Sequence, residues 1–133
     1  QSQGSIASVT LASRISATTL RAGHQPGLAT QANALAAALQ SVGAATKAAW
    51  ATGVAEEALA NATPYLQAFG HMVLAWTWLD VALTTAARED DQAQGQRAAM
   101  RYFFAYELPK IGAWLAVVSS RDATCRTMRE EWF

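Results

Sequence analysis

Few side chains in this sequence can carry chemistry. It has two histidines, His24 and His71, and one cysteine, Cys125. A di-iron or di-manganese bundle needs a glutamate three residues before a histidine on each of two helices, with further carboxylates facing in. Here Arg21 precedes His24 and Ala68 precedes His71 at that spacing, so the pattern is absent. Two histidines and one cysteine do not make a tetrahedral zinc set either. Arg121, Arg126 and Arg129 surround Cys125 in sequence and favour its thiolate. A cysteine nucleophile also needs an oriented base, and no histidine lies near it in the chain. An unreactive thiol is the simpler reading. A lone cysteine forms no internal disulfide, which points to a reducing, cytoplasmic compartment.

Asp80 and His71 interrupt apolar stretches, and a buried aspartate is costly unless paired. If a turn near Glu89 folds the chain into two antiparallel helices, Asp80 comes level with Arg97 and Arg101, and His71 with Glu107. Both sets read as structural pairs. No residue is assigned a catalytic, cofactor-binding or metal-binding role. The five tryptophans are the remaining signal. Trp76 and Trp78 lie about 200° apart on a helix, so both cannot face one core. One of them must meet another helix or another chain. With Trp132 and Phe133 they make a candidate interface, for a second copy in a homo-oligomer or for another protein.

The elements that would position these residues are helical throughout. Alanine is abundant, polar–apolar alternation is rare, and apolar residues recur at steps of three and four. Leu28, Ala32, Leu35, Leu39, Val42 and Ala49 form one stripe, predicting a helix over 28–52. Leu59, Leu66, Phe69, Val73 and Trp76 form another, beside a second stripe of Tyr65, Met72, Leu79 and Ala86. Together they predict a central helix over 56–87, with Pro64 either kinking it or sitting in its first turn. A third helix over 92–119 is expected to be capped by Asp90 or Asp91 and kinked at Pro109, followed by a short one over 123–131. Residues 1–27 read as an irregular arm or a short helix, and 28–133 as the bundle domain. The fold class is therefore all-α, an antiparallel helical bundle of three long helices plus a shorter fourth element.

The chain has 133 residues, 52% apolar and 15% charged, which suits one packed domain and excludes a disordered chain. Ten basic residues balance ten acidic ones, so the excess that displaces counterions from nucleic acid is missing. Ala58 to Leu79 holds no charge, but Asn61, Thr63, Pro64, Gln67 and His71 mark a buried bundle helix rather than a membrane span. The sequence starts at Gln1 and reads as a piece of a longer polypeptide.

Two segments carry a family resemblance. Ala62-Thr63-Pro64-Tyr65-Leu66-Gln67-Ala68-Phe69-Gly70-His71-Met72-Val73-Leu74-Ala75-Trp76 resembles a helix of the domain at the extreme C-terminus of one branch of acyl-CoA dehydrogenases. Arg101-Tyr102-Phe103-Phe104-Ala105-Tyr106-Glu107-Leu108-Pro109 resembles the aromatic stretch one helix later in the same domain. Order and separation match, although Ala75 and Gln96 replace the family's frequent glycine and lysine. The resemblance covers roughly 28–118 and rests on packing signatures. It implies a parent flavoenzyme that binds FAD, dehydrogenates a fatty acyl-CoA between the α and β carbons, and passes electrons to an electron-transfer flavoprotein. The fragment itself would be non-catalytic and free of cofactor, packing against the rest of the parent chain. It would serve oligomerisation or shape the substrate cleft. From the residues alone, a free-standing helical interaction module is the other reading.

Overall fold

A computed structural model describes residues 2–133, with side chains from residue 9 onward. About 80% of it is helical, with no strand among the described residues. The long members are α1 (Ser2–Gly23), α2 (Ala29–Ala49), α4 (Ala62–Thr84), α5 (Asp91–Tyr102) and α6 (Ile111–Ser120). Two one-turn helices, α3 (Ala55–Ala58) and α7 (Thr124–Thr127), lie in the connections. The order is up-down-up-down, with α5 and α6 as successive halves of the last member. The turn between α1 and α2 needs Gly27 at φ +87°, a left-handed conformation that glycine adopts without a Cβ penalty.

Helix α1 is the main departure from expectation. Residues 1–27 read as an irregular arm or short helix, and the bundle as having a shorter fourth element, yet α1 runs 22 residues, as long as its neighbours. Its Ser, Thr and Gly content argues against an isolated helix. A narrow stripe explains it: Ile15, Thr18 and Ala22 are 0%, 3% and 0% exposed, with Leu11 packed beside them. Tertiary burial of that stripe against α2 and α4 holds the helix together.

Helix α4 touches α1, α2, α5 and α6, which makes it the central member. Its buried line is Ala68, Met72, Ala75, Leu79 and Ala82, at steps of four and three. Alanine allows close approach of neighbouring backbones at three of those five positions. Leu59 and Leu66, counted in the core stripe from spacing alone, are instead 60% and 64% exposed. Pro64 falls in the first turn of α4, after Asn61 at the N-cap, where its missing N–H costs little. Asn61 makes no side-chain cap; its Nδ2 donates to the Asp122 carbonyl at 2.9 Å and ties the start of α4 to the end of α6.

Asp90 caps α5 as expected, accepting from the Ala93 amide. The kink expected at Pro109 takes a specific form. The chain passes through a π turn at Phe103–Glu107 and a 3₁₀ turn at Leu108–Lys110 before α6 resumes. Proline lacks the amide for an i−4 bond and its ring crowds that carbonyl, so the ladder widens just upstream. Phe104, Leu108, Ile111, Leu115 and Val118 still point into the core. The last helix expected over 123–131 splits into α7 and a 3₁₀ turn at Glu130–Trp132. No described helix is long and apolar enough to cross a membrane.

Candidate functional site

Two places in the bundle concentrate chemically distinctive side chains. The first lies where the π turn faces the middle of α4. There His71 Nε2 is 3.1 Å from Glu107 Oε1, as the hairpin register implies. The His71 ring meets Trp114 edge-on, with centroids 4.8 Å apart, and tilts against Phe103 at 5.5 Å. The extra residue in the π turn swings Glu107 towards α4 while its carboxylate stays within reach of the following turn. Lys110 Nζ donates to both Glu107 oxygens at 3.1 Å. The lysine bonds, and then the His71 contact, hold the Glu107 carboxyl below its ordinary range. The Glu107 carboxylate is shared between a lysine and a histidine, and the one cysteine, Cys125, is exposed on α7. This arrangement clamps α4 to the irregular turn.

Asp80 is not paired with Arg97 or Arg101. Its carboxylate accepts from Arg21 Nη2 at 3.3 Å, with both side chains more than half exposed. Trp76, one turn earlier on the same edge of α4, donates from Nε1 to Thr18 Oγ1 at 2.8 Å. That edge faces α1, whose length was not legible in the sequence, so the register argument offered only partners on α5. Arg97 donates instead to the Thr85 carbonyl at the end of α4, at 2.5 Å. Arg121 does the same for α2 at the Ala48 carbonyl, at 2.8 Å. Both guanidiniums complete helix C-termini, where positive charge is favourable.

Two of the tryptophans find their partners within one chain. Trp76 packs towards α1 and Trp78 also packs on the core, both half-buried. Trp78 lies two turns from His71 and shares its side of α4. Trp132 and Phe133 remain open, at 62% and 91% exposure.

The second place is one end of the bundle, where α2 finishes, α4 begins and α6 leads into α7. Trp50, Val54, Leu59 and Leu66 are substantially exposed there, as is Val117 near the end of α6, and Met128, Trp132 and Phe133 are exposed on the tail that follows. Between Trp50, Leu59 and Leu66 the surface opens into an apolar cavity of about 360 Å³. Spacing placed Leu59 and Leu66 inside; the signal that excludes them is the alanine-rich line beside them, which occupies the closest helix contacts. Among the described residues, no group of three or more His, Cys, Asp or Glu is placed to hold a metal ion.

The chain matches the family described as "Acetyl-CoA dehydrogenase C-terminal like" over residues 11–129. No curated protein and no solved structure matches it.

Proposed function

Since the chain belongs to the acetyl-CoA dehydrogenase C-terminal-like family, we propose that it is the non-catalytic C-terminal domain of an acyl-CoA dehydrogenase-like flavoenzyme. The parent would bind FAD, dehydrogenate a fatty acyl-CoA and hand electrons to an electron-transfer flavoprotein, in the cytoplasm. The bundle's part is to pack against the catalytic body, to support a homo-oligomer, or to wall the substrate cleft. One observation carries this reading: the exposed side chains Trp50, Leu59 and Leu66 border one apolar cavity at the end of α2 and the start of α4. Such a patch is the usual mark of an interface.

FAD is assigned to the parent's catalytic body. The apolar cavities of this chain have no charged lining to face a pyrophosphate. The depressions that present Arg97 and Arg101 also present Glu89, whose charge opposes a pyrophosphate.

The visible absorption spectrum of the full-length gene product, purified without added cofactor, tests the reading. A flavin spectrum that bleaches with an acyl-CoA is expected. A colourless product little longer than this chain overturns it in favour of a free-standing interaction module. In the parent, Leu59→Ser with Leu66→Ser should expose the bundle to limited proteolysis or split the oligomer while the isolated domain keeps its helicity.

A further inference from the structure

Helix α4 holds a single Asp, Glu, Lys or Arg, Asp80, and that residue pairs with Arg21 of α1. The face opposite Ala68, Ala75 and Ala82 runs through Thr63, Leu66, Gly70, Leu74, Thr77 and Val81. Thr63, Leu66, Leu74 and Thr77 are exposed on it, Leu74 at 48%. Thr77 donates its hydroxyl to the Val73 carbonyl at 3.0 Å, so its polar group is already taken. A helix face that stays in water is ordinarily charged, and a helix that is apolar all round is a covered one.

The face is also symmetric about Gly70. Leu66 stands four residues before it and Leu74 four after; Thr63 stands seven before and Thr77 seven after. All four lie within about 40° of Gly70 around the helix. Glycine weakens a helix relative to alanine, which this sequence uses freely. A Cβ at Gly70 would meet nothing within 4 Å, so packing inside the chain gives no reason for its absence. Gly43, Gly95 and Gly112 are equally open, but of the four only Gly70 has an exposed leucine one turn away on either side. Such a gap lets a second helix backbone approach closely and take a leucine on each flank.

We propose that this face binds a second copy of the chain, the two α4 helices crossing antiparallel at Gly70 about a two-fold axis. A two-fold contact sets one patch against itself. An antiparallel crossing at Gly70 brings Leu66 against the partner's Leu74, and Thr63 against the partner's Thr77. A charge near the axis would face its own copy, which accounts for the uncharged stripe. A heterologous partner, such as the rest of a parent chain, calls for no such symmetry. Leu66 also borders the Trp50 cavity, whereas Gly70, Leu74, Thr77 and Val81 lie beyond it. The crossing gives the homo-oligomer named above a surface and a register, and it does not rest on the flavoenzyme reading, because the pattern lies within this chain.

Sedimentation equilibrium of this chain is the test. The face from Thr63 to Val81 is about 27 Å long, small for a dimer contact, so a Kd of about 1–100 μM is expected. Leu74→Ala is lost twice across the axis and should weaken the dimer at least about tenfold. Gly70→Leu fits the open surface of one chain and should raise its thermal midpoint in dilute solution, yet weaken association by a similar factor. Lost association with a raised midpoint separates a blocked crossing from a misfolded chain. Gly112→Leu, on α6, should leave association unchanged. Leu66→Glu with Leu74→Lys sets opposite charges together at both ends of the crossing and should keep the dimer, whereas Leu66→Lys with Leu74→Lys should give monomers. A monomer up to about 1 mM, equal association of the two charged doubles, or a dimer untouched by Gly70→Leu overturns the proposal. A colourless full-length product removes the flavoenzyme parent and leaves this dimer standing.

Discussion

Neighbouring positions 79 and 80 on α4 offer the sharpest test of how the central helix is seated. Leu79 is fully buried, whereas Asp80 is exposed and meets only Arg21. Leu79→Ala removes three buried carbons, about 2.4 kcal/mol of transfer free energy at ~0.8 kcal/mol each. A void among four packed helices relaxes incompletely, which raises the expected cost to about 3–4 kcal/mol. At ~2.1 cal/mol/K per residue over the 133 residues of the chain, the midpoint should fall by about 10–14 °C. Asp80→Asn removes one solvent-screened ion pair between mobile side chains and should cost less than ~0.5 kcal/mol. Urea titration followed by circular dichroism measures both, with an unchanged m-value as the check that the denatured state is the same. A loss below about 1 kcal/mol for Leu79→Ala, or a larger loss for Asp80→Asn than for Leu79→Ala, would refute this seating of α4.

Three further outcomes follow from the same geometry. Trp76→Phe keeps the packing but leaves Thr18, 3% exposed, without its donor; a loss of about 1 kcal/mol by the same titration is expected, and no change would remove the α1–α4 bond from the account. Gly27→Ala places a Cβ at φ +87° and should cost about 1–2 kcal/mol, whereas Gly43→Ala, within α2, should gain about 0.5–1 kcal/mol; equal signs would contradict the assigned backbone. Asp90 has its carboxyl lowered from 3.8 to about 2, first by the Arg88 hydrogen bond and further by the Ala93 amide. Its native pKa is the lower one, so its stabilisation is present above pH 4 and is lost as pH falls towards 2. Asp90→Asn retains a good N-cap and should flatten thermal midpoint against pH in that window; an unchanged slope would remove Asp90 as its source.

How much of this was legible in sequence depends on the kind of residue. The α2 stripe, the Asp90 cap, the break at Pro109 and the registration of His71 with Glu107 all follow from local rules: helical period, capping chemistry and proline's missing donor. The stop of α4 at Thr84, where Arg97 from α5 donates to the Thr85 carbonyl, depends on another segment and was not legible, and neither was the split of the final helix into α7 and a 3₁₀ turn. The family itself was legible at Ala62–Trp76 and Arg101–Pro109, because packing signatures are sequence patterns.

By itself, then, the sequence determined an all-helical bundle with its last long member broken at Pro109, since periodicity and proline act within a few residues along the chain. Tertiary structure decided which apolar stripe is central, because Ala68, Ala75 and Ala82 are weakly hydrophobic yet small enough for close helix contact, leaving Leu59 and Leu66 outside. It also decided that residues 2–23 are a full helix, since only contact with α2 and α4 offsets their poor helix propensity. With α1 in place, Trp76 and Asp80 have partners on an element that local sequence could not supply.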